Sequence, residues 1–103
     1  MKANITNEHG YLVIHFSGEI DLHSHPHSRD IILNCLGLGR NTVLDLSDVT
    51  YLDSSGVASF VEGYKYAKKN GLEFGLMNVN ELVARVLQMA RLDKLFPIYN
   101  SLG

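Results

Sequence analysis

The tetrad Asp53-Ser54-Ser55-Gly56 concentrates the chemistry of this chain. A carboxylate, two hydroxyls and a glycine stand just before an apolar-periodic segment, which is the composition of a helix N-terminus. The hydroxyl of Ser54 or Ser55 can accept from free N–H groups of the first turn, and Asp53 suits the positive end of the helix dipole. Plain capping accounts for all of this. The same geometry also offers unpaired N–H donors to an anion. A phosphate esterified to either serine would add about −1.5 to −2 charges beside Asp53, so dipole attraction and carboxylate repulsion partly offset. Such a modification need not refold the chain. It would set a bulky dianion on a surface against which a partner docks. From the residues alone both readings stay open.

Other constellations carry less. His23, His25 and His27 alternate around Ser24 and Pro26, and histidine-rich tracts can bind metal. Just before a helix they read as solvated loop residues, and no cysteine or carboxylate pattern completes a zinc site; neither a metal nor a cofactor is expected. The nucleophile-elbow pattern G-x-S-x-G is absent, and Tyr51-Leu52-Asp53 supplies no histidine base beside the serines, so an enzyme is not expected. Gly37-Leu38-Gly39 is too short for a phosphate loop and follows a helix rather than preceding one. Cys35 reads as a buried small hydrophobe, and one cysteine makes no internal disulfide.

The elements that must position the tetrad follow from apolar spacing. Residues 1–10 are polar around Ile5, a weak first strand turning at His9-Gly10. Residues 11–17 form a β-branched and aromatic strand ended by Gly18. Ser24 and Pro26 start a helix that turns Ile31, Ile32, Cys35 and Leu36 inward and stops at Gly37 and Gly39. Residues 42–46 are a short strand, and residues 47–52 a connecting loop. A helix over 55–69 buries Val57, Phe60, Val61 and Tyr64, leaves Tyr66 outside, carries Lys65, Lys68 and Lys69 near its end, and closes at Asn70-Gly71. Residues 72–77 form the next strand. Asn80 caps a helix with Leu82, Val83, Val86, Leu87 and Ala90 inward, and Phe96-Pro97-Ile98-Tyr99 is a last strand.

The order β-β-α-β-α-β-α-β implies an α/β fold: a mixed, mostly parallel sheet of four to five strands with helices packed against it, the first strand antiparallel at an edge. In such sheets sites gather beyond the carboxyl ends of the strands, which independently selects the tetrad. The length, 103 residues, fits a single domain over 1–103. A net charge of −2 without a basic stripe gives no support to a nucleic-acid partner. No apolar run nears the ~20 residues that span a bilayer, so no direct membrane insertion is expected. The first residues lack a signal-peptide core, so the expected location is cytoplasmic.

Over nearly its whole length the chain resembles the STAS domain family, the sulfate transporter and anti-sigma factor antagonist domains, in its small stand-alone form. The resemblance is carried by Gly18-Glu19-Ile20-Asp21, by residues 42–49 (Thr-Val-Leu-Asp-Leu-Ser-Asp-Val), by Tyr51-Leu52-Asp53-Ser54-Ser55-Gly56-Val57-Ala58, and by residues 90–96 (Ala-Arg-Leu-Asp-Lys-Leu-Phe). The histidine-rich start of the first helix departs from the family pattern. The resemblance implies an anti-sigma factor antagonist. Its partner would be a serine-kinase anti-sigma factor or related switch kinase, which phosphorylates Ser54, with Ser55 the lesser candidate. A PP2C-type phosphatase would restore the unmodified form. Asp21, Asp53, Ser54, Ser55 and Gly56 are the implied partner-binding residues. An alternative implied role is a cytoplasmic accessory subunit of an ABC-type lipid transporter.

Overall fold

The computed structural model describes residues 1–102. Eight elements follow one another: β1 (Lys2–Glu8), β2 (Tyr11–Ile20), α1 (His25–Gly37), β3 (Thr42–Leu52), α2 (Ser54–Lys69), β4 (Phe74–Met77), α3 (Glu81–Met89) and β5 (Ile98–Tyr99). The five strands lie in sequence order in one sheet; β1 runs antiparallel to β2, and every other pairing is parallel. This is the expected α/β architecture with the edge strand where expected. His9 and Gly10 both have positive φ, 51° and 85°, the two-residue hairpin turn whose twist matches the flanking strands.

The register assigns the two faces of the sheet. One row joins Ile5, Ile14, Leu44, Leu76 and Ile98, and its inner members meet Ile32, Leu36, Phe60, Val83 and Leu87 from all three helices in one core. The rows on either side place Thr6, Val13, Val43 and Gly75, then His15, Asp45, Met77 and Tyr99, on the opposite face. Gly75 allows the Tyr99 ring to cross it: a Cβ there would stand 2.3 Å from a ring carbon.

Several boundaries differ from the sequence reading, each for a physical reason. β3 runs six residues beyond residue 46, so the expected loop at 47–52 is strand. Ser47, Asp48 and Thr50 hid it by breaking the apolar run, yet Asp48, Val49, Tyr51 and Leu52 pair with β2 through two register shifts. The Asp45 carboxylate supports the first irregularity by accepting from the Ser47 N–H at 3.1 Å. β2 likewise passes through Gly18, whose φ of 84° bends the strand without ending it. Gly37 stays inside α1, and Gly39 takes the left-handed turn beyond it. The last two strands shrink to Phe74–Met77 and Ile98–Tyr99; Phe96 is buried in the core ahead of β5. In α3, Leu82 and Ala90 are exposed, contrary to expectation, while Val83 and Leu87 are buried. In α2, Val57 and Phe60 are buried, and Val61 and Tyr64 are half-buried against the core.

Candidate functional site

Pairing of Ile20 with Leu52 brings the carboxyl ends of β2 and β3 side by side. Asp21 and Asp53 therefore follow adjacent strands, and the Asp53 N–H donates to the Ile20 carbonyl at 3.3 Å. Residue 53 alone joins β3 to α2. Its extended backbone (φ −116°, ψ −174°) aims its carboxylate at the first turn, where Oδ1 accepts from Ser55 N–H at 2.9 Å and Gly56 N–H at 3.1 Å. Asp53 is thus the N-cap, and neither serine performs that role. Ser54, the first helical residue, is exposed, and its hydroxyl makes no hydrogen bond among the described residues.

Gly56 is buried, and its role is packing. A Cβ there would stand 2.6 Å from the Ile20 carbonyl oxygen and 2.6 Å from Leu52 Cδ1. The missing side chain lets α2 start against the ends of β2 and β3, so Gly56 supports the surface from beneath.

Asp21 organises the turn after β2. Its Oδ1 accepts from the backbone N–H groups of His23 and Ser24, both at 3.0 Å, while its own N–H donates to Ser24 Oγ at 2.9 Å. The Ser24 N–H leads in holding the Asp21 carboxyl below the ordinary aspartate range. Ser24 makes no side-chain hydrogen bond to the first turn of α1, because its hydroxyl is engaged in this turn. Glu19, Asp21 and Asp53 line a shallow acidic cleft of about 310 Å³ with Leu22, His23 and Tyr51.

The histidine tract divides. His23 and His27 are exposed, as expected of solvated residues. His25 is not: its Nδ1 lies 2.8 Å from the Ser55 carbonyl oxygen and 3.1 Å from Ser59 Oγ. A carbonyl only accepts, so Nδ1 carries the proton and donates to it. Ser59 in turn meets Ser28 Oγ at 2.9 Å, and both serines are fully buried. This polar seam fixes the first turn of α2 to the first turn of α1. The sequence reading missed it; the signal was Ser28 and Ser59 on otherwise core-facing helix positions. It also missed a mainly apolar groove of about 580 Å³ along α2 and α3, lined by Val57, Ala58, Val61, Val86, Ala90 and Leu92 together with Ser54, Glu62 and Lys65.

The STAS domain family model matches residues 2–103. The chain belongs to the STAS domain family. An anti-sigma F factor antagonist of Paenibacillus polymyxa is 32% identical to this STAS domain, covering 98% of the chain and 90% of the relative. An anti-sigma-B factor antagonist of Bacillus subtilis is 28% identical, covering 95% of the chain and 90% of the relative. Among solved structures, an anti-sigma factor antagonist from Mycobacterium paratuberculosis superposes with a TM-score of 0.85 at 28% identity, covering 97% of the STAS domain and 86% of that chain. The curated relatives are thus anti-sigma factor antagonists, and the fold is theirs. Among the described residues no helix of the STAS domain is long and apolar enough to cross a membrane.

Proposed function

We propose that this STAS domain is an anti-sigma factor antagonist whose partner is an anti-sigma factor with serine-kinase activity, and that Ser54 is the residue modified. The relatives supply the functional class. The observation that carries the assignment of the residue is the state of Ser54: exposed, its hydroxyl without a hydrogen bond among the described residues, and placed at the first turn of α2 beside a cap that belongs to its neighbour. Its hydroxyl is available to attack a γ-phosphoryl group with no structural bond to break first. Ser55 is less suited, being half-buried with its N–H held by Asp53 and its carbonyl by His25.

Unmodified, the surface formed by Asp21, Asp53, Ser54 and Ser55 over Gly56 receives the partner. The kinase moves phosphate from ATP to Ser54 Oγ, the hydroxyl proton leaving to a base on the kinase. The new dianion follows Asp53 directly in the chain and stands on a residue that lines the α2–α3 groove. Like-charge repulsion and the cost of desolvating a dianion oppose docking, so the partner is released while the fold persists. A PP2C-type phosphatase hydrolyses the ester and resets the cycle. The role is regulatory rather than catalytic.

The test incubates the purified protein with its cognate anti-sigma factor and ATP and maps phosphate by mass spectrometry. Phosphate on Ser54, retained binding by Ser54→Ala and weakened binding by Ser54→Asp are the expected results. Phosphate on Ser55 alone moves the switch by one residue. No phosphate on either serine, with binding indifferent to Ser54→Asp, overturns the proposal.

A further inference from the structure

On the sheet face away from the helices, three strands meet in a polar cluster that the Ser54 switch does not use. His15 on β2 places Nδ1 2.7 Å from Asp45 Oδ2 on β3. Its Nε2 lies 2.9 Å from Thr6 Oγ1 and 3.3 Å from Glu8 Oε2, both on β1. Thr6 Oγ1 stands 2.6 Å from the same Glu8 oxygen, to which it donates. The other Asp45 oxygen is occupied by the Ser47 N–H and hydroxyl and by Asn78 Nδ2.

The hydrogens can be counted. The three contacts Nδ1 to Asp45, Nε2 to Thr6, and Thr6 to Glu8 need three hydrogens. A neutral imidazole and one hydroxyl supply two. Neither carboxyl supplies the third. For Asp45, burial alone would push the carboxyl up, but the Ser47, His15 and Asn78 donors outweigh it and hold it below the ordinary range. The Thr6 hydroxyl leads in holding Glu8 low. With the neutral ring, either Nε2 points a lone pair at Thr6 and Glu8, or Nδ1 points one at Asp45. The set is complete with the imidazolium.

We propose that protonated His15 is a charged clasp joining the edge strand β1 to β3 across β2, so that the seating of β1 is controlled by pH. β1 pairs with β2 alone, and the clasp gives it a side-chain tie to a second strand. All three contacts need the second ring hydrogen, so the tie is complete while the ring carries both and gives up one contact when either leaves. At far lower pH, protonation of Asp45 and Glu8 removes it. The titratable groups facing the ring are Glu8 and Asp45, with His9 adjoining Glu8 in the hairpin turn. Thr6, His15 and Asp45 have the outline of a nucleophile–base–acid triad, but an Nε2 that donates cannot take a proton, so the cluster holds structure and does no chemistry.

The test follows isotopically labelled protein by NMR over about pH 5 to 8, the range in which imidazole changes charge. Ring-nitrogen shifts report the His15 protons, and amide exchange, corrected for intrinsic rates, reports opening of β1. Both ring nitrogens should carry hydrogen where β1 is best protected. Opening of β1 should rise severalfold in step with loss of the ring proton, while β4 amides stay unchanged. His9→Asn, which suits the positive φ of that turn, should keep the response, and His15→Gln should abolish it. A ring with a bare nitrogen throughout, or β1 exchange that ignores ring deprotonation, overturns the proposal. So does a response that vanishes in His9→Asn. The ring measurement on the unmutated protein stands even if His15→Gln fails to fold.

Discussion

Asp53 and Ser54 are neighbours with opposite obligations. The Asp53 carboxylate satisfies two N–H groups of α2, whereas the Ser54 hydroxyl satisfies none among the described residues. Stability should therefore follow the aspartate. Asp53→Ala is expected to cost about 1 kcal/mol, the usual cost of a lost N-cap, whereas Ser54→Ala should stay within about 0.5 kcal/mol, as for a surface change that breaks no contact. Urea unfolding of the two variants separates them; equal losses would return the capping role to the serine. The sequence made the tetrad conspicuous but left the cap ambiguous, because Asp and Ser are both good caps and the strand end that fixes Asp53 lies in residues whose polarity resembled a loop. A second residue-scale expectation concerns Tyr99. Burial, followed by the hydrogen bond and charge of Glu73 and then by Tyr11, pushes its phenol up to about 12. The folded value lies above the ordinary value of about 10. Its contribution to stability is therefore complete below about pH 10 and lost as pH rises through about 12. In an alkaline titration of phenolate absorbance, Tyr99→Phe should delete the last tyrosine to ionise; loss of an earlier one contradicts the assignment.

At the scale of the element, α2 shows how a helix is both legible and hidden. Its apolar period placed Val57 and Phe60 in the core correctly, and Asn70 and Gly71 marked its end. What the period could not show is how closely its start approaches the sheet. Gly56 lies against Ile20 and Leu52, and Gly63 against Ile32 and Phe74, where a Cβ would stand 2.6 Å from Ile32 Cγ2 and 3.0 Å from the Phe74 ring. These partners come from four other elements, so local sequence holds no trace of them. The same holds for β3, whose polar half is strand because β2 pairs with it, and for His25, whose partners lie thirty and thirty-four residues away. Gly56→Ala should destabilise by about 1–3 kcal/mol through overpacking, despite the better helix propensity of alanine. Because the clash falls at the base of the first turn, it should also raise amide exchange at residues 55–59 more than at the end of α2. A neutral or stabilising Gly56→Ala would show that the first turn has room to shift, and would remove the packing explanation for that glycine.

All three helices pack on one face of the sheet and the main core lies between, while the opposite face carries the buried Val13 and Val43 beside His15, Asp45, Met77 and Tyr99. Such an arrangement must also hold its C-terminal segment, because β5 has two residues and pairs with β4 alone. Phe96 is its deeply buried anchor. It is 4% exposed, and its ring centroid lies 6.4 Å from Phe60, 5.9 Å from Tyr64 and 6.4 Å from Phe74, each at a steep angle. Edge-to-face contacts of this kind add to burial. One side chain thus joins the segment after α3 to α2 and β4. Phe96→Ala should cost about 3–5 kcal/mol, the range for truncating a buried phenylalanine. Against the roughly 5–15 kcal/mol by which natural domains are folded, that is a large share. Leu92, on the same segment, lines the α2–α3 groove that Ser54 also lines, so loosening should reach the candidate docking surface without touching it. Phe96→Leu, which keeps most of the volume, should lose less stability and retain partner binding. Calorimetry and urea unfolding of both variants, with binding measured where each is folded, decide the matter. A cost below about 1 kcal/mol for Phe96→Ala would mean that the cavity collapses freely and that the C-terminal segment is held by its backbone pairing instead.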